Sequence, residues 1–166
     1  TLALRPGQAI ADLGSGGGYF CFRFADAVGG QGRVYAIDVE IDFLAFIRER
    51  AREKQIANVV TVPIPDVDRV LPLGALDWLF LRNVFHHLDD RVALLRGYRR
   101  FLKPSGRIAI VEHKPGFTLF DLRRPFGHYV KPEKIITEME EAGYRAAARH
   151  DTLPGYSFTV FGLRRT

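Results

Sequence analysis

Two carboxylates and a set of glycines carry the first chemistry legible in this chain. Asp12 stands two places before Gly14 in Ile10-Ala-Asp-Leu-Gly-Ser-Gly-Gly-Gly-Tyr19, and Asp38 ends the next apolar run, Arg33-Val-Tyr-Ala-Ile-Asp38. Glycines allow backbone angles closed to other residues, and without side chains they let a ligand lie against the main chain. A carboxylate at Asp12 repels a pyrophosphate but can hold an ammonium or a hydroxyl, directly or through water. Asp38 falls about 20 residues beyond the loop, where a carboxylate can accept bonds from ribose hydroxyls. The spacing of Gly14, Gly16 and Gly18 reads G-x-G-x-G. A dinucleotide turn reads G-x-G-x-x-G and would need glycine where Tyr19 stands. The plainer alternative is a loop that only tightens a corner, with Asp38 as a helix cap.

The secondary structure around these residues is read from pattern and punctuation. The apolar run Gln8 to Leu13 reads as a buried strand, and Tyr19 to Val28 as the helix after the glycine turn. Strand, glycine turn and helix open a doubly wound α/β fold, whose crevice above the turn binds ligands. Arg33 to Asp38 is the second strand, Asp42 to Ile56 a helix, and Val59 to Val62 a third, β-branched strand. Pro63 to Pro72 holds three prolines and cannot form a long helix. Ala75 to Leu81 is a fourth strand with Trp78 in core packing, followed by Arg82-Asn-Val-Phe-His-His-Leu88 at its carboxyl end. Asp90 to Leu102 is a helix, Lys103-Pro-Ser-Gly106 a turn, and Arg107 to Glu112 a fifth strand. Pro132 to Ala142 is a helix with proline in its first turn and Gly143 just past its end. Tyr144 to His150 and Tyr156 to Leu163 are strands joined as a hairpin. The irregular, aromatic-rich stretch between His113 and Val130 is either an acceptor-binding loop or a surface loop whose aromatics fill the core edge.

These motifs resemble those of class I S-adenosylmethionine-dependent methyltransferases. Ile10-Ala-Asp-Leu-Gly-Ser-Gly-Gly-Gly is similar to their first motif and Val34-Tyr-Ala-Ile-Asp38 to their second. Leu76-Asp-Trp-Leu-Phe-Leu-Arg-Asn-Val-Phe-His-His-Leu88 resembles their fourth strand and the segment after it. Phe101-Leu-Lys-Pro-Ser-Gly-Arg-Ile-Ala-Ile-Val-Glu112 resembles the turn and fifth strand, with Ser105 in place of the usual glycine. The likeness covers nearly the whole chain and is nearest to the small ubiquinone/menaquinone-biosynthesis methyltransferase-like domains. It implies a Rossmann-like, seven-stranded sheet of order 3-2-1-4-5-7-6 with the last strand antiparallel. It implies one domain over residues 1–166, without the N-terminal cover helices such relatives have. It implies S-adenosyl-L-methionine as cofactor, held by Asp12, Gly14, Ser15, Gly16, Gly18, Asp38, Val39, Asp66, Val67 and Asn83. Asp66 is the choice for the adenine amine, with Asp68 as competitor because the prolines blur the register. The acceptor is a small molecule. The rival class is a non-catalytic cofactor- or partner-binding domain that kept the fold.

A sulfonium donor is already activated, so positioning supplies most of the rate effect. A general base is needed only if the acceptor has a proton to lose. His86 and His87 are the catalytic candidates, and Glu112 and His113 also lie near strand ends. Adjacent histidines point apart on a strand or helix, and no spaced His, Cys or carboxylate set joins them, so no metal is expected.

Composition narrows the classes further. A hydrophobic content of 47% and charged content of 26% suit one globular domain of 166 residues. No apolar run approaches the roughly 18 residues of a membrane span. The single cysteine, Cys21, excludes an intramolecular disulfide and reads as a small core residue. Together these point to a cytoplasmic protein. The net charge of +5 is spread along helix faces, with no basic stripe interleaved with aromatics, so nucleic acid is not the expected partner. The place of an Asn-Pro-Pro-aromatic motif reads Arg82-Asn-Val-Phe85, which argues against amino-directed nucleic-acid methylation.

Overall fold

A computed structural model describes residues 2–114 and 130–164. Seven strands form one sheet in the order β3-β2-β1-β4-β5-β7-β6, the order expected from the sequence. The strands are β1 (Ala9–Leu13), β2 (Arg33–Asp38), β3 (Val59–Pro63), β4 (Leu76–Arg82), β5 (Leu102–His113), β6 (Tyr144–His150) and β7 (Tyr156–Leu163). The helices are α1 (Tyr19–Val28), α2 (Ile41–Glu53), the short α3 (Val67–Val70), α4 (Arg91–Tyr98) and α5 (Pro132–Glu141). The chain divides into two compact units, Thr1–Phe80 with Arg100–Gly106 and Leu81–Arg99 with Arg107–Thr166.

In the first unit β1, β2 and β3 run parallel, with Asp12 opposite Ala36 and Asp38 opposite Pro63. Ile10, Ala11, Val34, Ala36 and Ile37 are fully buried, as continuous apolar runs in parallel strands require. Val28, Leu44 and Ile47 bring the apolar stripes of α1 and α2 into this core. Phe20 and Phe24 of α1 meet Phe80, with ring centroids 5.0 and 5.1 Å apart. Asp77 takes both the Ala9 amide (2.9 Å) and the Lys103 ammonium (2.7 Å), which fixes where β1 begins.

Several boundaries shift by one residue from the sequence reading, and two helix ends differ by more. Helix α2 stops at Glu53, not Ile56. Gln55 takes the left-handed conformation at φ 53°, its amide reaches Arg52 O (3.1 Å), and the Ile56 amide reaches Ala51 O (2.8 Å). This is the Schellman arrangement, with glutamine where glycine is usual. Helix α4 stops at Tyr98, and after a 3-10 turn (Arg99–Phe101) strand β5 already starts at Leu102. Gly106 lets the strand pass, since a Cβ there would lie 2.9 Å from Leu76 O. Trp78 is half-buried rather than a core residue. Most of the candidate acceptor loop, residues 115–129, lies outside the described residues.

In the second unit β7 pairs antiparallel with both β5 and β6. Ile108, Phe158, Phe161, Ile135 and Met139 form its core. Arg91 of α4 forks onto Glu138 of α5 at 2.5 and 3.0 Å. Tyr144, fully buried, donates its hydroxyl to Leu95 O at 2.7 Å. Tyr144→Phe keeps the packing and loses this buried bond. It should lower the unfolding free energy by about 0.5–1.5 kcal/mol, read as a lower urea midpoint at unchanged slope. An unchanged midpoint would contradict that role.

Candidate functional site

The glycine loop is anchored by the end of β2. The amides of Gly14 (2.8 Å) and Ser15 (3.1 Å) both donate to Ile37 O, and the Gly18 amide donates to Ser15 O (2.9 Å). Asp38, 7% exposed, spans the turn with both oxygens. Its Oδ2 accepts from the Gly16 amide (2.8 Å) and its Oδ1 from the Glu40 amide (3.0 Å). Gly14, Gly16 and Gly18 have φ of 74°, 48° and 79°, in the left-handed region that suits glycine.

The glycines divide the work. A Cβ on Gly18 would come within 2.7 Å of Ile47 Cγ1, so Gly18 lets α1 approach α2 closely. Around Gly16 and Gly17 a Cβ would meet nothing within 4 Å. Gly16 therefore fronts open space, as a ligand cradle requires. Beside it the Ser15 hydroxyl is buried without a hydrogen-bond partner, and such a group calls for one.

Asp12 lies in the buried stretch of β1 at 3% exposure. Its Oδ2 accepts from the Cys21 thiol at 3.1 Å. Burial raises the Asp12 pKa from 3.8 to about 7; the Cys21 bond opposes that rise and the neighbouring Asp38 charge adds to it. Burial, with the Asp12 charge, pushes the Cys21 thiol up, so it stays protonated as the donor. Cys21 is thus more than the small core residue expected. The pairing joins strand to helix across nine positions, a spacing with no periodic signal.

The remaining candidates of this unit lie just after β2 and on the proline-rich stretch. Val39 is 67% exposed and Val67 is 7% exposed. Asp66 closes the 3-10 turn Ile64–Asp66 and pairs with Arg69 at 3.1 Å. Asp68 is paired to Arg100.

The second unit holds the other candidates. Asn83 follows β4 at φ 54°, unusual for a residue with a side chain. Its amide donates to Val111 O at 2.9 Å, and its side-chain Oδ1 is buried without a hydrogen-bond partner. Phe85–His87 form a 3-10 turn. Glu112, 1% exposed at the end of β5, accepts from the Phe85 amide at 2.7 Å and faces His86 Nδ1 at 2.9 Å. His87 stacks against His86 with ring centroids 4.0 Å apart. His113 stacks instead on Tyr156, at 4.2 Å. Among the described residues no group of three or more His, Cys, Asp or Glu could hold a metal ion, and no helix is long and apolar enough to cross a membrane.

Residues 4–150 match the family model described as a methyltransferase domain. The chain belongs to the class I S-adenosylmethionine-dependent methyltransferases. This methyltransferase domain is similar to proteins named ubiquinone/menaquinone biosynthesis C-methyltransferase UbiE. The one from Vibrio parahaemolyticus is 32% identical over 116 residues, 65% of this chain and 42% of the relative. The one from Shewanella frigidimarina is 30% identical over 111 residues, 66% of this chain and 44% of the relative. The chain thus spans less than half the length of the curated relatives it matches. A solved SAM-dependent methyltransferase from Aquifex aeolicus superposes with a TM-score of 0.85 at 23% identity, covering 99% of this chain and 86% of that one, which shows the fold.

The residues present fit the family's cofactor. The loop fronts open space at Gly16, a buried hydroxyl at Ser15 lacks a partner, and two carboxylates, Asp12 and Asp38, flank the turn. That donor and acceptor set suits ribose hydroxyls and an ammonium.

The raised Asp12 pKa has a consequence for stability. The folded chain binds the Asp12 proton more tightly than the unfolded chain does. The stabilisation from this is complete below about pH 4. It falls as pH rises and is lost above about pH 7. Its size is on the order of a few kcal/mol. Asp12→Asn keeps an acceptor for Cys21 without the ionisation. Urea unfolding of the ligand-free chain at acidic and at alkaline pH should show the variant with the shallower fall in stability. Equal slopes for parent and variant would contradict the assignment.

Proposed function

We propose that this domain binds S-adenosyl-L-methionine and transfers its methyl group to a small-molecule acceptor. The observation that carries the proposal is the glycine loop held by Asp38, with open space at Gly16 and the partnerless Ser15 hydroxyl beside it. When bound, the cofactor supplies a sulfonium methyl, whose carbon is electrophilic and whose sulfur keeps the bonding pair on transfer.

The chain's own residues bind and orient. Asp38 offers its outward lone pairs to the ribose hydroxyls. Gly14 and Gly16 present bare backbone. Ser15 and Asp12 take the amino-acid end, and the ionised form of Asp12 favours an ammonium. Gly18 serves through packing, which sets where the first turn of α1 begins. Val39, exposed at the end of β2, and Val67 give apolar contact to the adenine. Asp66, at the close of the 3-10 turn after β3, takes the adenine amine, with Asp68 as competitor; each carboxylate is paired to an arginine, Arg69 and Arg100. In the second unit, Asn83 holds a strained backbone and a buried, partnerless Oδ1. We assign that oxygen to a donor on the bound ligands.

The similarity to proteins named as C-methyltransferases of ubiquinone and menaquinone biosynthesis supports a quinone-ring precursor, methylated at carbon, as the acceptor class.

Calorimetric titration with S-adenosylmethionine and S-adenosylhomocysteine tests the cofactor assignment. Both should bind. Asp38→Ala should weaken both by about 1.5–3 kcal/mol, the worth of hydrogen bonds to a charged group, while leaving the domain folded. Equal affinity in parent and variant would remove Asp38 from the ribose. Failure of both ligands to bind the parent would overturn the proposal.

A further inference from the structure

Two arginines of the second unit face one another across a glycine. Arg107 of β5 and Arg145 of β6 are both in register with Gly162 of β7, one on each side of it. Residues directly opposite in antiparallel strands project from the same face of the sheet. Both side chains therefore rise from one face, with no side chain of β7 between them. Two strand spacings put their Cα atoms about 10 Å apart, so both guanidinium groups can reach one small ion. A Cβ on Gly162 would meet nothing within 4 Å among the described residues, so the space between is open. Both arginines are exposed, and neither guanidinium has a hydrogen bond or ion pair with a described residue. Arg164, also exposed, stands two places beyond Gly162 and carries the ladder on, its amide donating to Gly143 O at 3.0 Å. Strand alternation turns its side chain to the same face. Arg107 stands five positions before Glu112 on β5, about 16 Å at the rise of a strand, so this row is separate from the His86 turn.

We infer that Arg107 and Arg145, with open space over Gly162 between them and Arg164 beside them, form a binding site for the phosphate group of a small phosphorylated molecule. A guanidinium is always charged and presents its N–H groups as a planar fork. A phosphate group brings three terminal oxygens and up to two negative charges. That matches a fork on either side and the two charges of Arg107 and Arg145. A carboxylate has two oxygens, and a single fork occupies both. Glycine inside a strand weakens it, and often marks a place where a ligand comes close to the backbone. The site does not depend on the methyl-transfer reading, since none of its residues belongs to the glycine loop or to the turn that holds His86.

The competing account gives the arginines only a protective task. Strand β6 ends the sheet order, and charged residues on an edge strand keep it from pairing with other chains. That task needs the charges but not the open space over Gly162. Gly162→Val separates the two accounts. It keeps every arginine, valine suits a strand, and its Cβ has room, so the domain should fold. The branched side chain then stands between the two guanidinium groups, where the phosphate would sit.

The test is a titration of the full chain with inorganic phosphate at constant ionic strength, potassium chloride making up the balance. It is followed through the arginine Nε–H signals by NMR. In the parent the Arg107 and Arg145 signals should shift and saturate. In Gly162→Val they should stay where chloride alone leaves them. Arg145→Lys, a second variant that keeps the charge and loses the fork, should weaken phosphate binding about tenfold. Signals that do not saturate in the parent would overturn the inference. So would parent-like affinity in Gly162→Val or in Arg145→Lys, because binding would then follow charge alone. Co-sedimentation with phosphatidylglycerol vesicles, without a response to free phosphate, would make the row a membrane contact and overturn the assignment to a small phosphorylated molecule.

Discussion

The hydrogen bond from the Gly16 amide to Asp38 Oδ2, at 2.8 Å, is the contact that holds the glycine loop in shape. It joins the tip of the glycine loop to the end of the neighbouring strand. Parallel pairing of β1 with β2 sets the two strand ends side by side. The Ile37 carbonyl then takes the next two loop amides, and Asp38 takes the third. A loop of such glycines left to itself would sample many conformations. Here the adjacent strand holds it in one. The residue that shapes the loop is also the residue proposed to take the ribose.

Two carboxylates flanking one loop carry an electrostatic cost. Asp12 is buried, and Asp38 adds to the rise in its pKa. The cost falls near neutral pH, where Asp12 changes charge. On the proposed reading a bound ammonium would offset it, and cofactor binding and Asp12 ionisation would then be coupled. Cys21 supports the arrangement as a protonated donor to the same carboxylate. The second unit has its own buried acid, Glu112. Its neighbours are a backbone amide and an imidazole, and through them it ties the 3-10 turn after β4 to the end of β5.

Much of this was legible in the residues. The bounds of α1, β2, β6 and β7 could be read directly, because α1 ends at a glycine, β2 ends on an aspartate and β6 just before one, and Pro154-Gly155 precedes β7. The end of α2 could not, since Gln55 occupies a left-handed position that glycine usually marks. The start of β5 was hidden by Lys103-Pro-Ser-Gly106, which has turn composition yet runs as strand past Leu76. The glycine spacing announced a loop but not the division of labour within it. Gly18 is needed for Ile47, a residue far along the chain, and only the packing of α1 against α2 reveals that. Contacts such as Cys21 with Asp12 and Glu112 with His86 join different elements, so no periodicity could have shown them.

The cofactor is assigned to the open face of the glycine loop, at Gly16. Gly16→Val is the decisive variant, because a Cβ there has no non-neighbouring protein atom within 4 Å and the side chain would enter the space assigned to the ligand. The backbone strain of a branched residue at φ 48° should cost about 1–2 kcal/mol, which leaves a foldable domain. Calorimetry with S-adenosylhomocysteine on the folded variant should give no measurable heat where the parent binds. Binding by Gly16→Val at the parent's affinity would mean that the loop only turns a corner and that the cofactor lies elsewhere.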